Sequence, residues 1–419
     1  MTVLIAGGGI AGLTMGLTLH QLGIPFRIFE AVKEMRPLGV GINLQPNAVR
    51  ELLNLGLEDA LDQCGVHTQE YGFFTKSGLE IWTEPRGLKA GYKWPQYSLH
   101  RGRFQVALRD ALIARAGAEV LSLGHAAKAY ETRDSGEVVL HLDTANGPKQ
   151  VEGTVLLAAD GINSAIRAQM YPNEGEPIWN GCVLWRATSR AKPFRTGASM
   201  ILAGHNDMRF VAYPITAPDP ETGEAEINWI AEIRRDPGEG WRKADYNAAT
   251  DIATFLPAFE AWNFDWLDCP ELIRSAERVF EYPMADRDPL PRWRDGNVVL
   301  MGDAAHPAYP VGSNGASQAI IDARLIGANF VEYGITPDAL AAFESKVRPQ
   351  MSQVVKANRS GGGPDGVMQM VEDLCGGHFE QIEDVITRAE LAAHAEKYKK
   401  LSGFSIAELN AQPAILDSP

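Results

Sequence analysis

The 419-residue sequence predicts an α/β fold: a discontinuous Rossmann-like domain with an inserted antiparallel-sheet domain, closed by a C-terminal helical segment. Three observations carry this. The all-apolar runs Val3–Ala6, Val155–Ala159 and Val298–Met301 read as strands buried on both faces, as in a parallel sheet. Each run ends abruptly, in glycine or in an Asp/Gly pair. Between them, residues 171 to about 290 concentrate aromatic residues and prolines in short strands separated by turns, the pattern of an antiparallel sheet.

The first element is strand, glycine turn and helix. After Val3–Ala6 comes Gly7-Gly8-Gly9-Ile10-Ala11-Gly12, and helical spacing runs to Gly23. If a dinucleotide lies over the turn, Gly7 permits the tight exit and Gly9 bares the backbone to a pyrophosphate. Gly12 then lets the helix pack on the strand, and its N-terminus faces the phosphates. A second strand, Phe26 to Phe29, ends at Glu30, whose carboxylate suits ribose hydroxyls and repels a 2′-phosphate, so FAD or NAD is expected here and not NADP. Gly361, Gly363 and Gly366 repeat the spacing, but Pro364 interrupts them and no strand precedes them, so they read as a flexible connector.

Ala31 to Gln45 reads as a glycine-punctuated loop, in which Arg36 and Gly41 could wrap a dinucleotide or belong to an ordinary surface connection. Asn47 to Leu57 has helical spacing, and Tyr71 to Trp94 reads as short strands and loops leaving the nucleotide fold. A helix opens near Arg101 and Gln105 and runs to about Arg115; arginine's planar fork suits a pyrophosphate, although Arg101 and Arg103 could equally be solvated. The second apolar strand stops on Asp160-Gly161, which puts a carboxylate at the carboxyl edge of the sheet. In the aromatic region Trp185, Tyr213 and Trp229 fall on strands; such residues build cores more often than ligand walls, so they are pocket candidates only. Ile252 to Trp262 has helical spacing that Pro257 would bend or divide.

The third apolar strand ends in Gly302-Asp303-Ala304-Ala305-His306-Pro307. Pro310, Gly312, Asn314 and Gly315 then open a helix whose first amides can hold an anionic ring or oxyanion. His306 has no obvious acid beside it, and a structural role is expected. After Arg348 and Pro349 the chain reads as helical to about Arg359, then again over Val367–Leu374, Phe379–Ala393 and Ala395–Leu401, with Asn410 to Pro419 as a loose tail.

Composition narrows the function. A net charge of −14 disfavours nucleic acid and anionic membranes as general partners. Cys64, Cys182, Cys269 and Cys375 are widely spaced with no C-x-x-C pair, consistent with a reduced cytoplasmic protein and no metal site. No apolar run approaches the ~20 residues of a membrane span, and the apolar N-terminus reads as a strand rather than a signal peptide.

Taken together, Gly7-x-Gly9-x-x-Gly12 with Glu30, Asp160-Gly161 with Ser164 and Arg167, and Gly302–Pro307 resemble, in order and separation, the single-component flavoprotein aromatic hydroxylases, the group of para-hydroxybenzoate and salicylate hydroxylases. The Trp185-Arg186 strand and the Tyr-Lys-Lys stretch at Tyr398 are most similar to the phenazine hydroxylase type. The resemblance implies a glutathione-reductase-type FAD domain over 1–70, 98–170 and 286–355, a substrate domain over 71–97 and 171–285, and helices over 356–419. It implies non-covalent FAD, with Glu30 on the ribose, Arg101 on the pyrophosphate, and Asp303, Gly302 and Gly315 near the ribityl chain. NAD(P)H is then a transient donor, and O₂ is used through a flavin hydroperoxide to hydroxylate a small aromatic substrate. Gly7, Gly9, Ala11, Gly12, Arg36, Gly41, Gln105, Asp160, Gly312 and Asn314 complete the cofactor set; Pro310 and Tyr309 are the catalytic candidates, and a monomer or homodimer is expected. The loop Pro310-Val311-Gly312-Ser313-Asn314-Gly315 departs from the group's usual two glycines after the proline. The competing readings are a flavin reductase or dehydrogenase on the same scaffold, and a non-catalytic binding protein of the kind Rab escort proteins represent.

Overall fold

The computed structural model describes residues 1–236 and 250–417. Its organising element is a six-stranded sheet ordered Arg294–Asp295, Val298–Leu300, Val155–Ala158, Val3–Ala6, Phe26–Glu30, Leu121–Leu123. Val3 pairs with Val155 on one side and Phe26 on the other, Leu156 pairs with Val298 and Ile28 with Leu121, all parallel; only the edge strand Arg294–Asp295 is antiparallel. The three all-apolar strands are buried at every position, because helices and the antiparallel sheet of residues 125–153 pack against them. The helix Ile10–Gln21 packs against Gly315–Tyr333 and Arg101–Ala116. Parallel alignment brings the carboxyl ends of four strands to one edge, so Gly7, Glu30, Asp160 and Gly302 become neighbours.

The second sheet has seven strands, ordered Phe280–Asp286, Ile178–Ala191, Ala225–Arg234, Met208–Pro214, Ser199–His205, Glu70–Phe74, Glu80–Pro85. Its two faces serve different cores. Trp185, Phe210, Ala212 and Trp229 face an outer core closed by Phe255, Phe259 and Trp262. Leu184, Val211, Tyr213 and Ile230 face an inner core shared with Tyr309 and with Val367, Met368 and Leu391 of the C-terminal helices.

Several expectations need correction. The loop 31–45 contains a strand, Gly41–Leu44, paired antiparallel with Tyr97–His100. Residues 125–153 form a separate three-stranded antiparallel sheet that apolar patterning did not reveal, because many of its side chains are half-exposed. Pro349 lies inside one long helix, Pro337–Arg359. The expected helix over 379–393 starts only at Arg388, where Thr387 and Glu390 form a reciprocal cap. Ile252–Trp262 holds two short 3₁₀ turns, Ile252–Thr254 and Leu256–Phe259, as one of the two expectations had it; the break falls at Phe255, and Pro257 sits in the first positions of the second turn.

The glycine-rich connector is fastened: the Gly363 carbonyl accepts from His394 Nε2 at 2.7 Å, and Asp365 pairs with buried Arg209. The tail is also docked as far as it is described; residues 418–419 lie outside the described residues. The Ile415 amide donates to the fully buried Glu51 carboxylate at 3.1 Å, and Leu416 is buried. These backbone contacts leave no hydrophobic period to read.

Candidate functional site

The glycine turn is built as its spacing requires. Gly7 has φ +104°, and a side chain there would meet the Ala159 carbonyl. A Cβ on Gly12 would run into the Gly7 carbonyl. A Cβ on Gly9, the residue capping the helix, would meet no atom within 4 Å, so the helix N-terminus is open. Glu30 closes the neighbouring strand end, its carboxylate accepting the Gly8 amide at 2.6 Å and the Val32 amide at 2.9 Å. Gln105 reaches across from its helix and donates to the Gly8 carbonyl at 2.9 Å.

Asp160 sits beside Gly7. One carboxylate oxygen accepts the Ala165 amide at 2.9 Å, while Oδ1 is buried with no partner among the described residues. Burial pushes this carboxyl above its usual range although Ser164 and backbone amides pull the other way. Arg167 is fully buried: it pairs with Glu174 and donates to the carbonyls of Ala304 and Ala305, each at 3.0 Å. The Asp160 and Gly302 motifs are thereby joined by a single guanidinium.

Gly302 has φ +56°, and its missing side chain allows close approach to Ala11 on the first helix. His306 does have an acid partner, contrary to the sequence expectation: Asp322, two helical turns into Gly315–Tyr333, lies 2.6 Å from His306 Nε2. Asp322 also accepts the Gly302 amide at 2.9 Å and Gln318 Nε2 at 2.9 Å. Burial alone would lower the imidazole pKa, but the Asp322 carboxylate outweighs it and raises it. The expected structural role agrees with this lock on the Gly302 turn; Asp303 is exposed at its tip.

At the start of the helix Gly315–Tyr333, the Gly315 position faces open space, and Asn314 is buried with neither amide atom partnered among the described residues. Gly312 has φ +76° and packs against Tyr398, whose hydroxyl donates to the Val311 carbonyl at 3.1 Å. Pro310 is exposed beside it.

Other candidates are placed differently. Trp185 and Trp229 are not pocket walls: strand alternation points both into the outer core, where Trp185 stacks on Phe255 at 4.6 Å and Trp229 donates to Ser189 at 2.9 Å. Tyr213, of opposite parity, faces the inner core. Gly41 is required by protein packing, since a Cβ would strike Asn228 and Tyr213; its amide donates to Asn228 Oδ1 at 2.7 Å. Arg36 is held by the acid two residues away, Glu34, at 2.6 Å with both side chains largely exposed. Arg101 is exposed at its helix start, close enough to Arg186 and Tyr282 for its charge to act on both. Tyr309 abuts the 310–315 loop, but its hydroxyl is 3.3 Å from the Ile178 carbonyl, and burial together with Asp286 pushes its pKa up to about 12. A phenol so placed stays protonated at neutral pH and does not fit a general base.

Sequence reading missed a buried polar group behind this loop. Gln45, Tyr71, Glu84, Arg86, Gln96 and Lys399 surround, with Gly312 and Ser313, a small cavity of about 10 Å³. Glu84 lies 2.6 Å from Arg86 and 2.7 Å from Lys399. Burial would raise the Glu84 carboxyl pKa, but the two cations hold it below the usual range. The alternation Glu84-x-Arg86, which puts both charges on one strand face, was the available signal.

Comparison with known proteins agrees with this geometry. A family model described as "FAD binding domain" matches residues 1–256 and 267–358. Phenazine 1,6-dicarboxylic acid hydroxylase of Lysobacter antibioticus is 41% identical over 361 residues, covering 85% of this chain and 89% of that protein. A 6-hydroxynicotinate 3-monooxygenase of Bordetella bronchiseptica is 29% identical, covering 81% of this chain and 85% of the other. The crystal structure of Klebsiella pneumoniae HpxO complexed with FAD and uric acid has the same fold, with TM-score 0.73 and 20% identity over 99% of this chain and 97% of that one. The chain belongs to the FAD binding domain family, as an FAD-dependent monooxygenase of the aromatic hydroxylase group.

Proposed function

We propose that this enzyme uses NAD(P)H and O₂ to hydroxylate a polycyclic heteroaromatic substrate of the phenazine type, held between the seven-stranded sheet and the 310–315 loop. The observation that carries the reading is the convergence of Gly7–Gly12, Glu30, Asp160 and Gly302 on one edge of the parallel sheet. The 41% relative supplies the substrate to try first.

The residues fit FAD. Gly9 and Gly315 leave bare backbone at two helix N-termini, and the buried, unpartnered Asp160 Oδ1 and Asn314 amide await polar partners. We assign Glu30 to the adenosine ribose, Gly9 and Gln105 to the pyrophosphate region, and Gly302, Asn314 and Gly315 to the flavin end. When bound, FAD supplies two-electron redox chemistry and reaction with O₂. The protein's own part is positional. Arg167 and the His306–Asp322 pair fix the Gly302 turn, Tyr398 fixes Gly312, and the inner core from Tyr71 to Leu391 excludes water from the reacting ring. Tyr309 serves as wall rather than base.

We assign 1–70, 98–170 and 286–355 to FAD binding, 71–97 and 171–285 to substrate binding, and 356–419 to closure. Among the described residues no helix is long and apolar enough to cross a membrane. The described cysteines form no disulfide, which suits a reducing compartment; we propose the cytoplasm, and a monomer or homodimer.

The test is direct. Purified enzyme should be yellow, and phenazine-1,6-dicarboxylic acid should accelerate NAD(P)H oxidation with O₂ uptake and appearance of a hydroxylated product. Turnover without O₂ would instead identify a reductase. Stoichiometric capture of another protein without redox turnover would identify a binding protein.

A further inference from the structure

We propose that Gln45 is a positioning residue for the 310–315 loop, and that one buried water, bound by Gln45, Gln96 and Arg86, holds its side chain in place. The consequence for turnover rests on the monooxygenase reading above; the site itself does not.

Gln45 touches the chain on both sides of Asn314. Its backbone amide donates to Ser317 Oγ, in the first turn of the helix Gly315–Tyr333, at 2.9 Å, and its Nε2 donates to the Gly312 carbonyl at 3.5 Å. The backbone of Gln45 is itself fixed: it caps the helix Pro46–Asn54, and its carbonyl accepts the amides of Ala48 at 3.0 Å and Val49 at 3.1 Å. The preceding turn of the loop is held from the C-terminal helices. Asn358 Nδ2 donates to the carbonyls of Tyr309 at 3.1 Å and Val311 at 3.3 Å, and Tyr398 donates to Val311 as described above. The Gly312 carbonyl is therefore left to Gln45. A contact of 3.5 Å is at the long limit of a hydrogen bond, so it persists only while the other end of the amide is kept from turning.

That other end points into the small cavity. Three separate segments line it with polar atoms: Gln45, Arg86 just after the strand Glu80–Pro85, and Gln96 just before Tyr97–His100. Gln45 is 3% exposed, Gln96 2% and Arg86 5%. Gln45 Oε1, Gln96 Oε1, Glu84 Oε1 and Arg86 Nε have no hydrogen-bond partner among the described residues. Glu84 already makes ionic contact with Arg86 at 2.6 Å and with Lys399 at 2.7 Å, which leaves two amide oxygens and one N–H to satisfy. Buried polar atoms are almost always satisfied, so the lining points to a bound molecule.

One water fits both the size and the pattern. About 10 Å³ of free space holds a single water. Its two O–H bonds go to Gln45 Oε1 and Gln96 Oε1, and a lone pair takes the Arg86 Nε–H. A cation would leave that N–H unpaired and stand beside both Arg86 and Lys399, and an anion would face three oxygens. With the water in place the Gln45 amide keeps its N–H on Gly312. Without it the amide turns freely and the amides of Asn314 and Gly315, assigned above to the flavin end, lose their fixed position. Electrons from NAD(P)H then leave as hydrogen peroxide instead of oxygenating the substrate.

A crystal structure of the FAD-loaded enzyme should show a water at about 2.7–3.2 Å from Gln45 Oε1, Gln96 Oε1 and Arg86 Nε. Gln96→Met, which removes an acceptor and fills the space, should displace it and speed hydrogen exchange of amides 312–315 in the holoenzyme about fivefold, the worth of one neutral hydrogen bond. Exchange in Ile10–Gln21 should not change. Hydrogen peroxide released per NAD(P)H oxidised with phenazine-1,6-dicarboxylic acid should rise in parallel. Gln96→Glu, which restores an acceptor oxygen, should return loop exchange and peroxide yield to the parental values. Gln45→Met should act as Gln96→Met does and is the second variant should Gln96→Met not fold. A cavity without density for water, loop exchange unchanged in these variants, or a peroxide yield unchanged despite faster exchange would overturn the proposal. A loop loosened as expected, in an enzyme that gives no O₂-dependent product, would remove the monooxygenase reading and keep the water site.

Discussion

Replacing Gly9 with alanine separates the cofactor's requirements from those of the fold. At this position φ is −73° and ψ −173°, which alanine adopts without strain, and its Cβ would meet no protein atom within 4 Å. The apoprotein should therefore unfold within about 0.5 kcal/mol of the parent, since surface changes away from packed groups are of that order. For a bound pyrophosphate the methyl lies in the path. It should cost one or two charge-assisted hydrogen bonds of roughly 1.5 kcal/mol each, or about 10- to 150-fold in FAD affinity. Gly12→Ala is the control: its Cβ collides with the Gly7 carbonyl, so it should destabilise the apoprotein as well. Thermal melts of apoprotein and fluorescence titration with FAD read the two quantities separately. FAD affinity of Gly9→Ala within twofold of the parent would refute the placement of the pyrophosphate over this turn.

Three further outcomes follow from the packing. His306 is buried against Asp322 with its pKa raised, so its stabilisation is complete below the ordinary histidine value near 6.5 and is lost as pH rises through the higher folded value. Melts from pH 6 to 9 should show that decline, and His306→Asn should flatten it. Deletion of residues 410–419 removes the Ile415–Glu51 bond and uncovers Glu51 between Arg50 and Arg324; we expect a loss of about 2–4 kcal/mol in urea unfolding, whereas a free tail would cost nothing. Trp185→Ala should cost about 3–5 kcal/mol of stability through its core cavity. Binding of the phenazine acid by the folded fraction should be unchanged, since Trp185 faces away from the site.

The sequence alone determined the elements whose signal is local. Unbroken apolar runs of four or five residues closed by glycine read as strands covered on both faces rather than as helices, which need more length, and glycines at fixed offsets from such a strand are explained by a close backbone approach. Val3–Gly12, Asp160 and Gly302 were therefore legible without coordinates. The antiparallel strands were legible too, but their period of two does not say which face meets the ligand. Only the pairing of the seven strands decided that Tyr213 looks inward while Trp185 and Trp229 look outward. Tertiary structure also supplied every partner distant in sequence: Asp322 for His306, Tyr398 for Gly312, Lys399 for Glu84 and Ile415 for Glu51. Such pairs leave no periodic trace, because a hydrogen bond or ion pair fixes two atoms in space and places no constraint on the residues between them.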